Sequence, residues 1–92
     1  MASEPIRRRV VVHGDVQGVF FRDSTRERAQ AEGVDGWVRN RPDGAVEAVL
    51  EGPAAAVEQV VRFCQEGPSR ASVERVEVTE EQPEGLSGFA IR

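Results

Sequence analysis

Apolar and polar positions alternate along several stretches of the chain, and changes in that rhythm divide it into elements. From Ile6 to His13 the period is two: Ile6, Arg8, Val10 and Val12 share one face, and Arg7, Arg9, Val11 and His13 the other. Apolar character peaks at Val10, Val11 and Val12, as in an interior strand. From Phe21 to Glu32 neither Pro nor Gly interrupts a run of good helix formers, and Gly33 stands where a helix-ending glycine belongs. The apolar stripe of that helix is thin, made of Phe21, Thr25 and Ala29. Val34 to Asn40 and Ala45 to Glu51 read as two further strands, joined through Arg41-Pro42-Asp43-Gly44, whose Asp-Gly pair suits a tight reversal. In the second of them Val46, Ala48 and Leu50 alternate with Glu47, Val49 and Glu51. Gly52-Pro53 opens a second helix, where Val57, Val60, Val61 and Cys64 recur at helical spacing, and Gly67-Pro68 closes it. Val73, Val76 and Val78 mark a fourth strand whose parity slips near Glu74, as at a bend. Glu80 to Gly88 reads as an acidic loop, and Phe89 and Ile91 as a short closing strand.

Strand, helix, strand, strand, helix, strand is the order of an α+β, ferredoxin-like βαββαβ sandwich, one antiparallel sheet with two helices on one face. The 92 residues, with no linker, repeat or low-complexity stretch, predict a single domain over 1–92. That architecture hosts many activities and selects none.

Charge narrows the choice. The 12 positive residues, all Arg, face 16 acids, a net charge of −4. Residues 1–41 carry eight Arg and six acids, and residues 42–92 four Arg and ten acids. An acidic chain with four Phe and one Trp is poorly built to grip a polyanion, so no nucleic-acid partner is expected. No apolar run approaches the roughly 20 residues of a membrane helix. Met1 to Ile6 followed by Arg7, Arg8 and Arg9 lacks the apolar segment of a secretory signal, and one Cys with one His cannot form an internal disulfide or an ordinary zinc site. A cytoplasmic domain without metal or disulfide is the expectation, with a monomer as its simplest state.

The informative stretch is Gly14-Asp15-Val16-Gln17-Gly18-Val19-Phe20-Phe21-Arg22. It leaves a strand, turns through two glycines and enters a helix. Successive backbone N–H groups in such a turn can converge on an anion, and the helix start adds free N–H groups and a positive dipole. Arg22, with its five-donor fork, suits two phosphate oxygens at once. The spacing serves a second reading equally: an ordinary strand-to-helix loop with a solvated Arg. It matches neither the Walker pattern nor the dinucleotide fingerprint. A second cluster, Gly36-Trp37-Val38-Arg39-Asn40, ends the next strand. Asn40 has both a donor and an acceptor with which to hold a water, although an Asn before a turn also serves as turn chemistry. Trp37 reads as packing, and Arg39 and Arg41 either steer anions or sit in solvent. His13 reads as structural, Cys64 as core, Asp15 as turned outward, and Glu80, Glu81 and Glu84 as a solvated loop.

Taken together, the two clusters resemble the acylphosphatase family. Val12 to Arg22 is similar to its first signature; Gly36 to Asn40, with Asp43-Gly44-Ala45-Val46-Glu47 and Glu51-Gly52, is similar to its second. The resemblance covers essentially the whole chain. It implies metal- and cofactor-free hydrolysis of small acyl phosphates to a carboxylate and inorganic phosphate. Arg22 matches the family's phosphate-binding arginine, Asn40 the asparagine that orients water, and the backbone amides of Val16, Gln17, Gly18, Val19, Phe20 and Phe21 the phosphate cradle. The acyl group is expected to protrude into a shallow open site. Carbamoyl, acetyl and phosphoglyceroyl phosphates all fit that expectation. Two positions depart from the pattern. Glu32 stands where the family commonly has Leu, which weakens packing of the first helix, and the Arg7–Arg9 run either stays partly solvated or pairs with acids of the second half.

Overall fold

The computed structural model describes residues 4–92, so the reading of Met1, Ala2 and Ser3 lies outside it. Seven elements follow in order: β1 (Ile6–Asp15), α1 (Phe21–Glu32), β2 (Asp35–Asn40), β3 (Val46–Gly52), α2 (Ala54–Glu66), β4 (Ser72–Glu81) and β5 (Phe89–Ile91). They build one five-stranded sheet in the order β4-β1-β3-β2-β5. The four longer strands pair antiparallel, as expected. β5 departs from the all-antiparallel expectation: it lies parallel to β2, with Ile91 beside Val38, and makes the sheet mixed. The reason is topological, since the chain returns from β4 at one edge and closes on the other.

Period-two patterning sorts the sheet into two faces. Val10 and Val12 of β1, Val38 of β2, and Val46, Ala48 and Leu50 of β3 meet Phe21 and Ala29 of α1 and Val57, Val60 and Cys64 of α2 in one buried core. Residues 21, 25 and 29 are the buried positions of α1, so Glu32 displaces no core residue; its carboxylate lies 3.7 Å from Arg28, one turn back. Burial pushes the Cys64 thiol up to about 12, leaving it protonated, which fits a core role. Val61 and Val78 are less buried than their patterning implied, Val78 being on edge strand β4.

The helix-free face is charged. Register places Arg7 between Glu51 of β3 and Glu81 of β4. The Arg7 guanidinium donates to both carboxylates at 2.7 Å, and Arg9 donates to Glu47 at 2.6 Å and Glu81 at 2.7 Å. The Arg run therefore pairs with acids of the second half. Two expectations for residues 80–88 change accordingly. β4 continues through Glu81, and Glu81 is a cross-strand partner, not a solvated loop acid. Glu51, only 4% exposed, also accepts the N–H groups of Glu84, Gly85 and Leu86, which pins the loop that leads into β5.

The parity slip near Glu74 is also present. The β1–β4 register shifts between His13 and Gly14, which pair with Arg75 and Val73 and leave Glu74 as the extra residue. His13 Nε2 lies 2.7 Å from a Glu77 oxygen, a structural use. At Gly36 the sheet permits no side chain, because a Cβ would collide with the Val49 carbonyl oxygen. No helix among the described residues is long and apolar enough to cross a membrane.

Candidate active site

The loop from β1 to α1 and the end of β2 meet around one concave site of about 280 Å³, lined by Val16, Gly18, Phe20, Phe21, Arg22, Asp23, Asn40 and Ile91. β1 and β2 both flank β3, so their neighbouring ends bring Arg22 and Asn40, 18 positions apart in the chain, onto one cavity. Val16 and Phe21, both almost fully buried, anchor the loop into the core at its two ends. Between them the backbone turns left-handed twice. Gly18 has φ 75°, with open space where a side chain would stand. Phe20 has φ 62° and ψ 22°, a conformation that costs a residue with a Cβ about 1–2 kcal/mol. Such strain persists where surrounding structure imposes it, and it clusters at functional sites.

Phe20 is also the N-cap of α1, and no side chain caps that helix. The first-turn N–H groups thus lack side-chain acceptors at the end of the helix where its dipole favours an anion. Arg22 lies in this first turn and is half-buried, with no ion-pair or hydrogen-bond partner among the described residues. Arg39 and Arg41 differ. Arg39 donates to Glu47 at 2.6 Å, and Arg41 lies 2.8 Å from Asp43, so both charges are already committed. Asp15 is exposed and turned away.

Across the cavity, Asn40 Oδ1 is a buried side-chain oxygen without a hydrogen-bond partner. Buried polar atoms normally have one, so this acceptor is left free to take a donor from a group entering the cavity. Ile91 lines the same cavity, an outcome of the parallel β5 pairing that sequence reading did not supply. Gln17 and Val19 of the cradle segment do not line it. Val19 packs against the core. The Gln17 side chain turns toward the β2–β3 turn, where Nε2 donates to the Arg41 carbonyl at 2.8 Å and the Ala45 carbonyl at 2.9 Å. One amide group thereby ties the loop to the turn that follows Asn40. The only prior signal of this was a long polar side chain in an otherwise apolar and glycine-rich loop.

Trp37 is buried to 8% exposure on the helix-free face, with the guanidinium carbons of Arg92 and Arg9 at 4.6 and 5.7 Å from its ring centroid. Packing is its role, as read from the sequence.

Fold and site define a class: a ferredoxin-like sandwich whose first strand-to-helix loop, uncapped helix start and free arginine open on one small cavity. Comparisons with known proteins narrow it further. The acylphosphatase family model matches residues 8–91. The acylphosphatase of Rubrobacter xylanophilus is 62% identical over 92 residues, covering 99% of this chain and 84% of that protein. The crystal structure of acylphosphatase from Bacillus subtilis matches with a TM-score of 0.91 at 38% identity, covering 95% of this chain and 98% of that one. Full-length HypF, in a phosphate- and nucleotide-bound form, contains a similar fold (TM-score 0.92, 26% identity) that spans 100% of this chain but 12% of HypF. The chain belongs to the acylphosphatase family, and acylphosphatase is its activity.

Proposed function

We propose that residues 1–92 form one acylphosphatase domain that hydrolyses small acyl phosphates with its own side chains and backbone, without a metal or organic cofactor. The observation that carries the proposal is the pairing across one cavity of an uncommitted Arg22 with Asn40, whose Oδ1 has no partner. The phosphoryl group sits against the amides of Val16 to Phe21, with the Arg22 fork on two of its oxygens. Asn40 accepts a hydrogen bond from a water and holds it for attack.

The chemistry matches these parts. Phosphoryl transfer has a loose transition state, so catalysis consists mainly of positioning and of neutralising the equatorial oxygens. Water oxygen bonds to phosphorus as the bond from phosphorus to the acyl oxygen breaks, and the carboxylate leaves with the electron pair. A carboxylate is a good leaving group and needs no general acid. A carboxamide is no base, so the water proton passes to a phosphoryl oxygen. We take a monomer acting on a small substrate in the cytoplasm as the simplest setting for this chemistry.

Phosphate release from acetyl or benzoyl phosphate, measured with a chelator present, tests the proposal. Arg22→Ala should abolish most turnover and weaken inhibition by phosphate. Arg22→Lys should recover little, because a point charge cannot replace the bidentate fork. Asn40→Ala should lower kcat while leaving phosphate inhibition nearly intact. Full activity in either alanine variant, or loss of wild-type activity to the chelator, refutes the assignment.

A further inference from the structure

We propose that Phe20 is the contact surface for the acyl half of the substrate, and that the site accordingly favours neutral apolar, above all aromatic, acyl groups. The inference rests on the roles given above to Arg22 and Asn40. In an in-line displacement the attacking and leaving oxygens lie on opposite sides of phosphorus. With the water held at Asn40, the acyl oxygen leaves on the side away from β2, toward the rim made by the β1–α1 loop and the first turn of α1. A second concavity, flanked by Arg9, Trp37 and Arg39, borders Asn40 as well. Because it borders the residue assigned to the water, the same in-line requirement excludes it as the acyl site.

Along the loop rim few side chains are available. Gly18 has none, Val16 and Phe21 are buried in the floor, and Arg22 is engaged with phosphate. Phe20 and Asp23 remain. Phe20 is 66% exposed, one of two large hydrophobic side chains exposed among the described residues. It keeps this exposure in a left-handed conformation that Gly would adopt without strain. Stability explains neither property, whereas an aromatic platform at the mouth of the cavity accounts for both. Asp23, exposed beside it and only loosely paired with Arg26 at 3.6 Å, adds a carboxylate that disfavours acyl groups carrying a negative charge of their own.

The test is the ratio of kcat/KM for benzoyl phosphate to that for acetyl phosphate, compared between variants so that intrinsic reactivity cancels. An aromatic contact of ordinary strength predicts a fall in this ratio of roughly threefold to tenfold in Phe20→Ala and Phe20→Gly. Phe20→Trp should keep it. Phosphate inhibition is measured in each variant, so that a change in the cradle, to which the Phe20 amide belongs, is read apart from the ratio, in which it cancels. Phe20→Gly relieves the strain and should be at least as thermostable as wild type, so a fallen ratio in that variant does not reflect damaged folding. An unchanged ratio in both the Ala and Gly variants overturns the inference. If Arg22→Ala still removes activity and phosphate inhibition in the same series, the site assignment stands and only the acyl contact fails. If Arg22→Ala leaves both intact, the site assignment itself fails.

Discussion

Gln17→Ala separates the two halves of the site without touching either Arg22 or Asn40. It deletes two hydrogen bonds, those from Nε2 to the carbonyls of Arg41 and Ala45. Both carbonyls keep a backbone partner, because the Arg41 N–H donates to Ala45 at 2.8 Å and the Gly44 N–H to Arg41 at 3.2 Å. No buried group is orphaned, so the loss is the net worth of two bonds, about 1–2 kcal/mol. For a domain of this size that lowers Tm by about 5–15 °C, readable by thermal denaturation. The kinetic effect should be larger. In the proposed site the loop assigned to the phosphate is no longer tied to the turn that follows Asn40, the residue assigned to the water, and an ångström of drift between reacting groups costs up to about a hundredfold. Gln17→Glu should be worse than Gln17→Ala, since a carboxylate would face two carbonyl oxygens with nothing to donate.

The assay is benzoyl phosphate turnover at a temperature well below the Tm of every variant, in a cycle with Asn40→Ala. If Gln17 acts by positioning Asn40, Gln17→Ala should lower kcat by about tenfold or more in the wild-type background and by less than about twofold in the Asn40→Ala background. Equal fold-losses in both backgrounds would sink the positioning role, and so would a kcat close to wild type in the folded single variant.

Two further outcomes concern the charged face of the sheet. Arg7→Ala leaves Glu51 without its guanidinium and Glu81 with that of Arg9 alone; Arg7 and Glu51 are 5% and 4% exposed, so chemical denaturation should register a loss of about 3 kcal/mol. That is the low end for a broken buried pair, because three backbone N–H groups still hold Glu51. Acid should act on the same groups. Burial pushes Glu47 and Glu51 up, but the Arg39 and Arg9 guanidinia for Glu47, and the loop N–H groups with Arg7 for Glu51, outweigh it and leave both carboxyls low. Glu81 is lowered by Arg9 and Arg7. Carboxyls lowered in the folded state contribute stability above their unfolded value and lose it as pH falls through their folded values. Tm should therefore hold from about pH 7 to about pH 5 and decline below roughly pH 4.5. A rise in Tm on acidification would contradict the pairing.

Periodicity made most of the fold legible. The limits of α1 match a run of twelve helix formers closed by Gly33, and the alternation in β1 and β3 fixed which side chains face the helices. Sequence reading failed where an element's environment comes from distant strands. Glu80 and Glu81 look like loop acids until β4 lies beside β1 and meets Arg7, Arg8 and Arg9. The parallel direction of β5 was invisible because a three-residue strand carries no signal of its partner. Arg22 and Asn40 were singled out by motif, and the structure brings them to one cavity; the Gln17 side chain, Ile91 and Asp23 were not, because their places depend on through-space neighbours.

An acidic chain that handles an anion raises an electrostatic question, which the cross-strand pairs answer. At residues 7 to 9, 39 and 41 the arginines of the first half meet Glu47, Glu51, Glu80, Glu81 or Asp43, all carboxylates of the second half. The imbalance between the halves is thus spent largely within the fold, with the Arg7, Arg9 and Arg39 pairs on the sheet face remote from the helices. Arg22 escapes because α1 lifts it off the sheet into the first helical turn, where no β3 or β4 carboxylate stands opposite. An anion arriving there displaces no existing partner of that guanidinium, and it gains the helix start as well. Had Arg22 been paired like Arg39, each binding event would first have to break a salt bridge. Net charge is therefore a poor guide to this protein; the absence of a carboxylate opposite one arginine is the better one.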